Sequence, residues 1–317
     1  MSAPDPLLAD QLAAASGRRT DRRLVASNAL RRSLTFALFV VALAGLYTLY
    51  KALGQALDDS QLDWWFIGDY LPRSDDRNMP PILDILREFG ESRRAGGKTI
   101  GRSTLDGAVF TLREAAVGFA IGAFVGIVIA IALVRAPIVE RAVLPWVIVS
   151  QTIPLIAIAP IIVIWGRSNF DFLPWEWQDW MSVSLIAVYL TFFPVAVNGI
   201  RGLKSADSAA HELMDSYAAS WGQTLWRLRL PASLPYLFPA LKIAGTASVV
   251  GAIVGEISGG VRGGLGRLIL DYAGTYTTGP ERLYVSVIGA AVLGLVVVGI
   301  ITVAERIVLG RRGQVAR

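Results

Sequence analysis

The chain contains no cysteine and a single histidine, and both shortages narrow its chemistry. Without cysteine it can form no disulfide and offers no thiol nucleophile or thiolate ligand. With only His211, a histidine-rich metal cluster is excluded, so we expect no metal site. No pair of acids and no nucleophile–histidine arrangement falls within the apolar segments. We therefore expect a chain that is not an enzyme.

Charge is also scarce, at 17% of the 317 residues, whereas apolar residues make up 54%. This balance is too apolar for an ordinary soluble domain. A helix needs about 20 mostly apolar residues to cross a bilayer, and backbone groups in lipid must pair internally. The sequence therefore predicts an all-α integral membrane protein with about six transmembrane helices. The apolar runs are 33–50, 115–134, 142–166, 181–200, 230–255 and 283–304.

The basic residues predict the orientation of these spans. Arginine and lysine favour cytoplasmic loops, and long loops weigh less in this rule. Basic residues flank both terminal spans and occupy the loops after spans two and four. Most of the contrary charges lie in the long, acid-rich segment 54–105. We predict a multi-pass protein of a bacterial cytoplasmic (inner) membrane with both termini in the cytoplasm.

The same pattern divides the chain into segments. Residues 1–32 form a cytoplasmic arm without the apolar core of a signal peptide, and residues 33–53 form the first transmembrane helix. Residues 54–105 form an external segment in which two prolines introduce a short amphipathic helix. Residues 106–307 form a five-helix core, and 308–317 a cytoplasmic tail.

A polar stretch at residues 205–231, SADSAAHELMDSYAASWGQTLWRLRLP, separates two apolar runs. Leu213, Tyr217 and Leu225 place apolar side chains at helical spacing, which predicts short amphipathic helices that end at Pro231. A helix in a loop between two spans is suited to dock another protein. We call residues 205–231 the coupling loop.

Small residues recur at every fourth position in two spans. Such faces let helix backbones approach closely. They fit either packing within one subunit or a seam between subunits, and both interpretations stay open. The glycines are Gly118, Gly122 and Gly126 in span two, and Gly251 and Gly255 in span five.

Prolines interrupt span three, where Pro154 and Pro160 each remove a backbone donor. A broken span is tolerated where the freed groups face protein or a wet cavity. The break therefore favours a translocation path, or a kink that only improves packing. Candidate path residues are Gln151, Thr152, Pro154, Thr191, Phe192, Thr246 and Glu256.

Ionisable residues in the spans are few, and we expect them near span ends, where a long side chain reaches water easily. Arg113 and Glu114 open span two, Lys242 lies early in span five, and Glu256 closes it. This placement predicts no proton relay at mid-membrane. Glu256 lies beside a glycine-rich run, so it is a candidate to line or gate the outer mouth of a path, or else a charge at the membrane interface.

One phosphate-binding motif is excluded. Gly97-Lys98-Thr99 resembles the end of a P-loop, but Ser92 stands where its first glycine is required, and no strand precedes it. We therefore expect no ATP site and no other cofactor in this chain.

The coupling loop resembles the E-A-A-x3-G-x9-I-x-L-P motif of permease subunits of binding-protein-dependent ABC importers. Aligned on Leu230-Pro231, Glu212 matches the glutamate and Leu228 the isoleucine, while Ala218 replaces the glycine. TLREAAVGFAIGAFVGIVIAI, QTIPLIAIAPIIVIW and GGLGRLILDYAGTY resemble the nitrate/sulfonate/taurine branch. An alanine at 218 costs roughly 1 kcal/mol if the backbone there is left-handed.

The resemblance implies a type I ABC importer permease fold and a set of partners. These are two ABC ATPase subunits that bind ATP and magnesium, a second permease copy, and an external substrate-binding protein. The solute would be a small anion such as a sulfonate, nitrate or taurine, or a vitamin-precursor-like nutrient. The residues implied at the ATPase contact are Glu212, Leu213, Met214, Ala218, Ala219, Ser220, Leu228, Leu230 and Pro231.

Two other functions compete with this interpretation. A self-sufficient channel or secondary transporter would move solute in vesicles that lack ATP and any partner. A membrane-embedded enzyme would need paired catalytic groups in the spans, and it would turn over substrate as the purified chain alone.

Overall fold

The computed structural model describes residue 31 and residues 34–56, 74–92, 96–169 and 176–313. Most of the predicted N-terminal arm lies outside the described residues, as do residues 57–73 of the predicted external segment and 314–317 of the tail.

Helices make up nearly all of the regular structure in these ranges, beside one isolated bridge between Ser92 and Thr99. Five helices are long and apolar enough to cross a membrane, and one bent helix pair raises the number to six. The prediction of an all-α membrane protein with about six spans is thus confirmed. The helices are α1 (Leu34–Ala56), α2 (Ile82–Glu88), α3 (Ile100–Arg135), α4 (Pro137–Ser150), α5 (Leu155–Asn169), α6 (Asp179–Leu203), α7 (Ser208–Ser216), α8 (Trp221–Thr224), α9 (Leu230–Gly259), α10 (Leu265–Gly274) and α11 (Pro280–Gly313).

The chain divides into two compact units, Met1–Leu83 and Asp84–Arg317. In the first unit, the Tyr47 hydroxyl donates to the carbonyl of Pro80 over 2.9 Å, and Lys51 lies 2.7 Å from the Asp76 carboxylate. The hydrogen bond and the charge of Lys51 lower the pKa of Asp76. These contacts tie the end of α1 to the segment that precedes α2.

Helix α3 begins at Ile100, well before the apolar run from which span two was predicted. Thr99 caps it, because its hydroxyl accepts a hydrogen bond from the Arg102 amide at 3.2 Å. Ile100 is buried beside Ile85 and Tyr272 in a small apolar cluster, which stabilises this first part of the helix.

Helix α6 lies between α3 and α9, and glycines make this close packing possible. A Cβ added at Gly122 would lie 2.6 Å from Thr191 Cβ, and one at Gly126 would lie 2.7 Å from the carbonyl oxygen of Phe192. Gly251 and Gly255 of α9 approach α6 in the same way, against Ala187 and Ile186 respectively. Both glycine faces therefore serve packing within one subunit.

Span three is two helices with a bend of 94° between them. Helix α4 ends at Ser150 and α5 begins at Leu155, so the break contains Pro154. Proline lacks the amide that would continue the helical hydrogen bonds, which explains the end of α4 here. Pro145 and Pro160 lie inside the two helices instead.

The coupling loop continues into α9 without a break, so the prediction that its helices end at Pro231 is wrong. A π-helical turn, Leu225–Arg229, joins α8 to α9, and the Leu230 amide bonds to the carbonyl of Leu225. Pro231 follows this turn directly as the second residue of α9, and it has no amide to donate to the preceding turn. The wider turn adapts the hydrogen-bond pattern just before the proline.

Candidate functional site

The coupling loop consists of two short helices joined by a left-handed turn. Helix α7 ends in a Schellman motif, in which the Ala218 amide bonds to the Asp215 carbonyl at 2.9 Å and the Ala219 amide to the Met214 carbonyl at 3.0 Å. The motif requires a left-handed residue, and Ala218 has φ +48°, the one positive φ outside glycine in the described ranges. Alanine therefore adopts a left-handed conformation at the position where the motif has glycine.

Helix α8 begins in a capping box. The Ser220 hydroxyl accepts from the Gln223 amide, and the Gln223 side chain accepts from the Ser220 amide at 2.8 Å. Both hydrogen bonds satisfy amides that the first turn of a helix leaves without partners. The sequence S-W-G-Q thus fixes where the second helix of the loop starts.

The second helix is anchored to the helix bundle by buried apolar side chains. Leu225 is buried, and Trp221 and Leu230 pack with it against Leu133 and Leu203 at the ends of α3 and α6. The Arg135 guanidinium also lies 5.0 Å from the centre of the Trp221 ring, which favours a cation–π contact. The end of the loop is therefore packed onto the ends of two spans.

Helix α7, by contrast, exposes its apolar side chains. Leu213 and Tyr217, one turn apart on one face, are 57% and 78% exposed, and Trp226 beyond the turn is 72% exposed. Glu212 and Ala218 are exposed as well, while Met214, Leu228 and Leu230 are half-buried. The structure thus places the predicted ATPase-contact residues of α7 on a surface that carries large apolar groups.

The predicted path residues fall into separate places. Gln151, Thr152 and Pro154 lie together at the break between α4 and α5, where the Tyr189 hydroxyl of α6 donates to the Ser150 carbonyl. The ring of Phe192 lies 6.2 Å from that of Tyr189. This group, with Tyr189 added, forms one polar and aromatic cluster.

The other path candidates do not join this cluster. Thr191 is fully buried between Gly122 and the Ala244 carbonyl, and its hydroxyl is 3.5 Å from that oxygen. Thr246 bonds within its own helix, to the carbonyl of Ile243 at 2.8 Å. Thr191 therefore packs helices together in this conformation.

Glu256 and Glu114 are placed differently from the sequence expectation. Both side chains are 0% exposed, and they are neighbours between α3 and α9. The expectation that these acids lie at water-reachable span ends, with no acid pair in the spans, is wrong. The reason is the early start of α3, which puts Glu114 inside the helix. The sequence T-L-R-E continues an amphipathic segment, and this pattern indicates that the helix begins before the apolar run.

The fold and this loop define the chain as a membrane transport component. Its residues 122–309 match the family of binding-protein-dependent transport system inner membrane components. Since this match covers more than half of the chain, the chain belongs to that family.

Three relatives show the branch within the family. The chain is 37% identical over 142 residues to a formylaminopyrimidine transport permease of Halalkalibacterium halodurans, covering 45% of this chain and 53% of that protein. It is 27% identical over 134 residues to a putative aliphatic sulfonates transport permease of Bacillus subtilis, covering 42% and 45%. It is 28% identical over 134 residues to the taurine transport permease of Escherichia coli, covering 40% and 44%. The chain spans about half the length of these relatives.

Proposed function

We propose that this chain is the membrane-spanning permease subunit of an ATP-driven ABC importer. The observation that carries the proposal is the coupling loop, whose helix α7 exposes Leu213 and Tyr217 while α8 is packed onto the bundle. An exposed apolar face suits a partner's groove. A second helix that runs directly into α9 suits the transfer of movement from that partner to the spans.

The partner on this surface would be an ABC ATPase subunit, which binds the ATP and magnesium that this chain has no motif to bind. Two ATPase subunits would drive two permease copies, so we propose a homodimer. An external binding protein would deliver the solute. Both termini and the coupling loop would face the cytoplasm.

The solute is proposed to be small, either an anion such as a sulfonate, nitrate or taurine, or a vitamin-precursor-like nutrient. The names of the relatives, which transport formylaminopyrimidine, sulfonates and taurine, support this range. Residues Gln151, Thr152, Pro154, Tyr189 and Phe192 are the candidates to contact it. A polar and aromatic cluster at a break in a span suits a solute that needs both hydrogen bonds and apolar contact.

The test is assembly with the ATPase. The full chain is co-expressed with the ABC ATPase subunit of the proposed importer and purified from membranes, and bound ATPase and its ATP hydrolysis are measured. Leu213→Asp and Tyr217→Asp should each lower ATPase recovery by about tenfold or more, since a buried apolar anchor contributes about 2 kcal/mol or more. Glu212→Ala tests the motif glutamate in the same assay.

Asp215→Ala is the matched control, because Asp215 is exposed on α7 about half a turn away from Leu213 and Tyr217. It should leave assembly unchanged. Equal recovery of the ATPase with Leu213→Asp and Asp215→Ala would contradict the docking role. Uptake by vesicles that hold this chain without ATP would favour a self-sufficient channel or secondary transporter instead.

A further inference from the structure

A cavity of about 640 Å³ lies where four elements meet at the end of α9. Its volume falls in the range of cavities that bind small molecules. Since α9 begins at the coupling loop, the cavity lies at the opposite end of that helix. The walls are Phe110 of α3, Arg167 of α5, residues 178–180 at the start of α6, and residues 260–262 of the connection between α9 and α10.

Hydrogen bonds fix the connection that forms one wall of the cavity. One side-chain oxygen of Glu256 accepts from the Thr111 hydroxyl at 2.6 Å, and the other accepts from the Gly266 amide at 2.5 Å. The Thr111 hydroxyl accepts in turn from the Leu265 amide at 2.9 Å. The residues on both sides of the connection are therefore tied together and to α3, so the connection has a defined position.

The side chains that line the cavity carry a surplus of positive charge. Asp179 is engaged by Arg167, whose Nε and Nη2 atoms each lie 2.6 Å from one of its oxygens. Arg262 is exposed, and no carboxylate pairs with it among the described residues. Glu114 and Glu256 are fully buried and do not line the cavity. The lining therefore has one cation without an acidic partner.

A second cation lies beside the cavity. Arg113 follows Phe110 by three residues, so it lies on the same side of α3. Its guanidinium is 4.1 Å from the centre of the Trp180 ring, a distance that favours a cation–π contact. The indole N–H of Trp180 donates to the side-chain oxygen of Gln178 at 2.6 Å, which orients the ring. No ion pair involves Arg113 in the part of the chain that the structure describes.

These walls select a class of ligand. An arginine guanidinium presents several N–H donors in one plane, which match the oxygens of a sulfonate, carboxylate or phosphate group. Phe110, Trp180 and Val261 supply apolar surface in the same cavity. The cavity therefore suits a small organic molecule with one oxyanion group and a short apolar part.

We propose that this cavity binds a small organic oxyanion, with Arg262 pairing with the anionic group and Trp180 packing against the apolar part. The proposal rests on the proposed function in one respect, that the cavity faces the side on which solute is delivered. Arg167 lies about 18 Å along α5 from the break at Pro154, since each helical residue adds about 1.5 Å. The solute would thus be held at the outer end of the path before it reaches the polar and aromatic cluster.

The measurement uses the absence of cysteine. The full chain with Gln178→Cys, at an exposed position of the lining, is placed in lipid nanodiscs and labelled with a neutral, water-soluble maleimide. The labelling rate is measured at rising concentrations of 1-butanesulfonate and constant ionic strength. The rate should fall saturably by about fivefold or more, because a bound molecule covers the wall of its cavity. 1-Butanol, which has the same carbon chain without the charge, should give no such protection.

The role of Arg262 is tested by the concentration that gives half of the protection, which does not depend on the reactivity of the thiol itself. Arg262→Gln should raise this concentration by about fivefold or more, since a charge-assisted hydrogen bond is lost. Because Arg262 is exposed, the substitution should leave the fold intact. Arg262→Lys keeps the charge and should raise the concentration by less. Arg201→Gln is the matched control and should not change it, because Arg201 is exposed at the other end of α6.

A second readout tests the charge of the cavity without a bound ligand. The Gln178→Cys thiol is labelled with a methanethiosulfonate that carries a sulfonate group and, separately, with one that carries a trimethylammonium group. The ratio of the first rate to the second should fall by about threefold in Arg262→Gln, since the local potential becomes less positive. The ratio should be unchanged in Arg201→Gln.

Two results would overturn the proposal. One is the lack of saturable protection by 1-butanesulfonate in the Gln178→Cys chain, and the other is an equal half-protecting concentration in Arg262→Gln. The assay contains neither ATP nor an ATPase, so its failure would leave the docking of the ATPase standing. Loss of docking in the Leu213→Asp assay would likewise leave binding in this cavity to be judged by its own measurement.

Discussion

At the scale of single residues, Ala218 is where this chain departs from its family's motif and keeps the motif's geometry. Its φ of +48° closes the Schellman motif at the end of α7. A left-handed conformation costs a non-glycine residue about 1 kcal/mol or more, since Cβ approaches the following carbonyl oxygen. The strain lies in the turn between the two helices of the coupling loop.

Ala218→Gly should therefore strengthen this turn. The relief of strain, less the greater freedom of glycine in the unfolded chain, leaves a net gain of about 0.5–1 kcal/mol. Hydrogen exchange of the Ala219 amide, which bonds to Met214, measures it as slower exchange. Ala219→Gly is the matched control and should speed exchange, because Ala219 has no left-handed backbone to relieve. Faster exchange with Ala218→Gly would contradict the strain.

At this scale the sequence predicts those features that depend on neighbouring residues. The motif alignment identified position 218 as the turn because its glycine pattern depends on neighbouring residues. The Glu114–Glu256 pair could not be found in that way. Its residues are 142 positions apart in the sequence, and only the packing of α3 against α9 brings them together.

At the scale of elements, the glycine face of α3 sets how closely α6 can pack. A side chain at Gly122 would meet both Thr191 Cβ and, at 2.9 Å, the carbonyl oxygen of Val188. The second of these is backbone, which cannot move without shifting α6. The glycine pattern indicated close packing from sequence, and the structure supplies the partner, which the pattern alone left open between α6 and another subunit.

Gly122→Leu should separate these helices, with a loss of about 1–3 kcal/mol or more, as is typical for an overpacked core. The midpoint of thermal unfolding in detergent measures it. Ala120→Leu is the control, since Ala120 is exposed on the same helix and the same bulk there meets no neighbour. Similar midpoints for the two leucine variants would contradict the assignment of this face to packing.

Helix boundaries were harder to predict than helix faces. The apolar run from which span two was predicted begins at Ala115, because the segment before it mixes polar and apolar residues. The structure continues the helix back to Ile100, since that mixed segment has a buried side formed by Ile100, Thr104 and Thr111. Hydropathy reports which residues suit lipid, but helices also extend where one side faces protein.

At the scale of the whole molecule, the two ends of α9 lead into different structural features. The coupling loop leads into its first residue, and the connection held by Glu256 follows its last. One helix thus joins the surface proposed for the ATPase to the connection between α9 and α10 at the other end. Movement at one end would reach the other through a single continuous element.

The two ends should lie on opposite sides of the membrane. Ser208→Cys in α7 and Arg262→Cys in the connection after α9 each place one thiol at an exposed position in a cysteine-free chain. An impermeant maleimide should label the first only from the cytoplasmic side and the second only from the outside. The check compares inside-out with right-side-out vesicles, and both thiols reacting from one side would contradict the topology.

The π-helical turn at Leu225–Arg229 has a geometric consequence for the whole chain. Such a turn accommodates one residue more than an α-helical turn, and one residue corresponds to about 100° of rotation about the helix axis. Converting it to an ordinary α-helical turn would rotate α7 about the helix axis by about this angle, without lengthening any span. The direction in which the docking face of α7 points therefore depends on the one extra residue in this turn, next to Pro231.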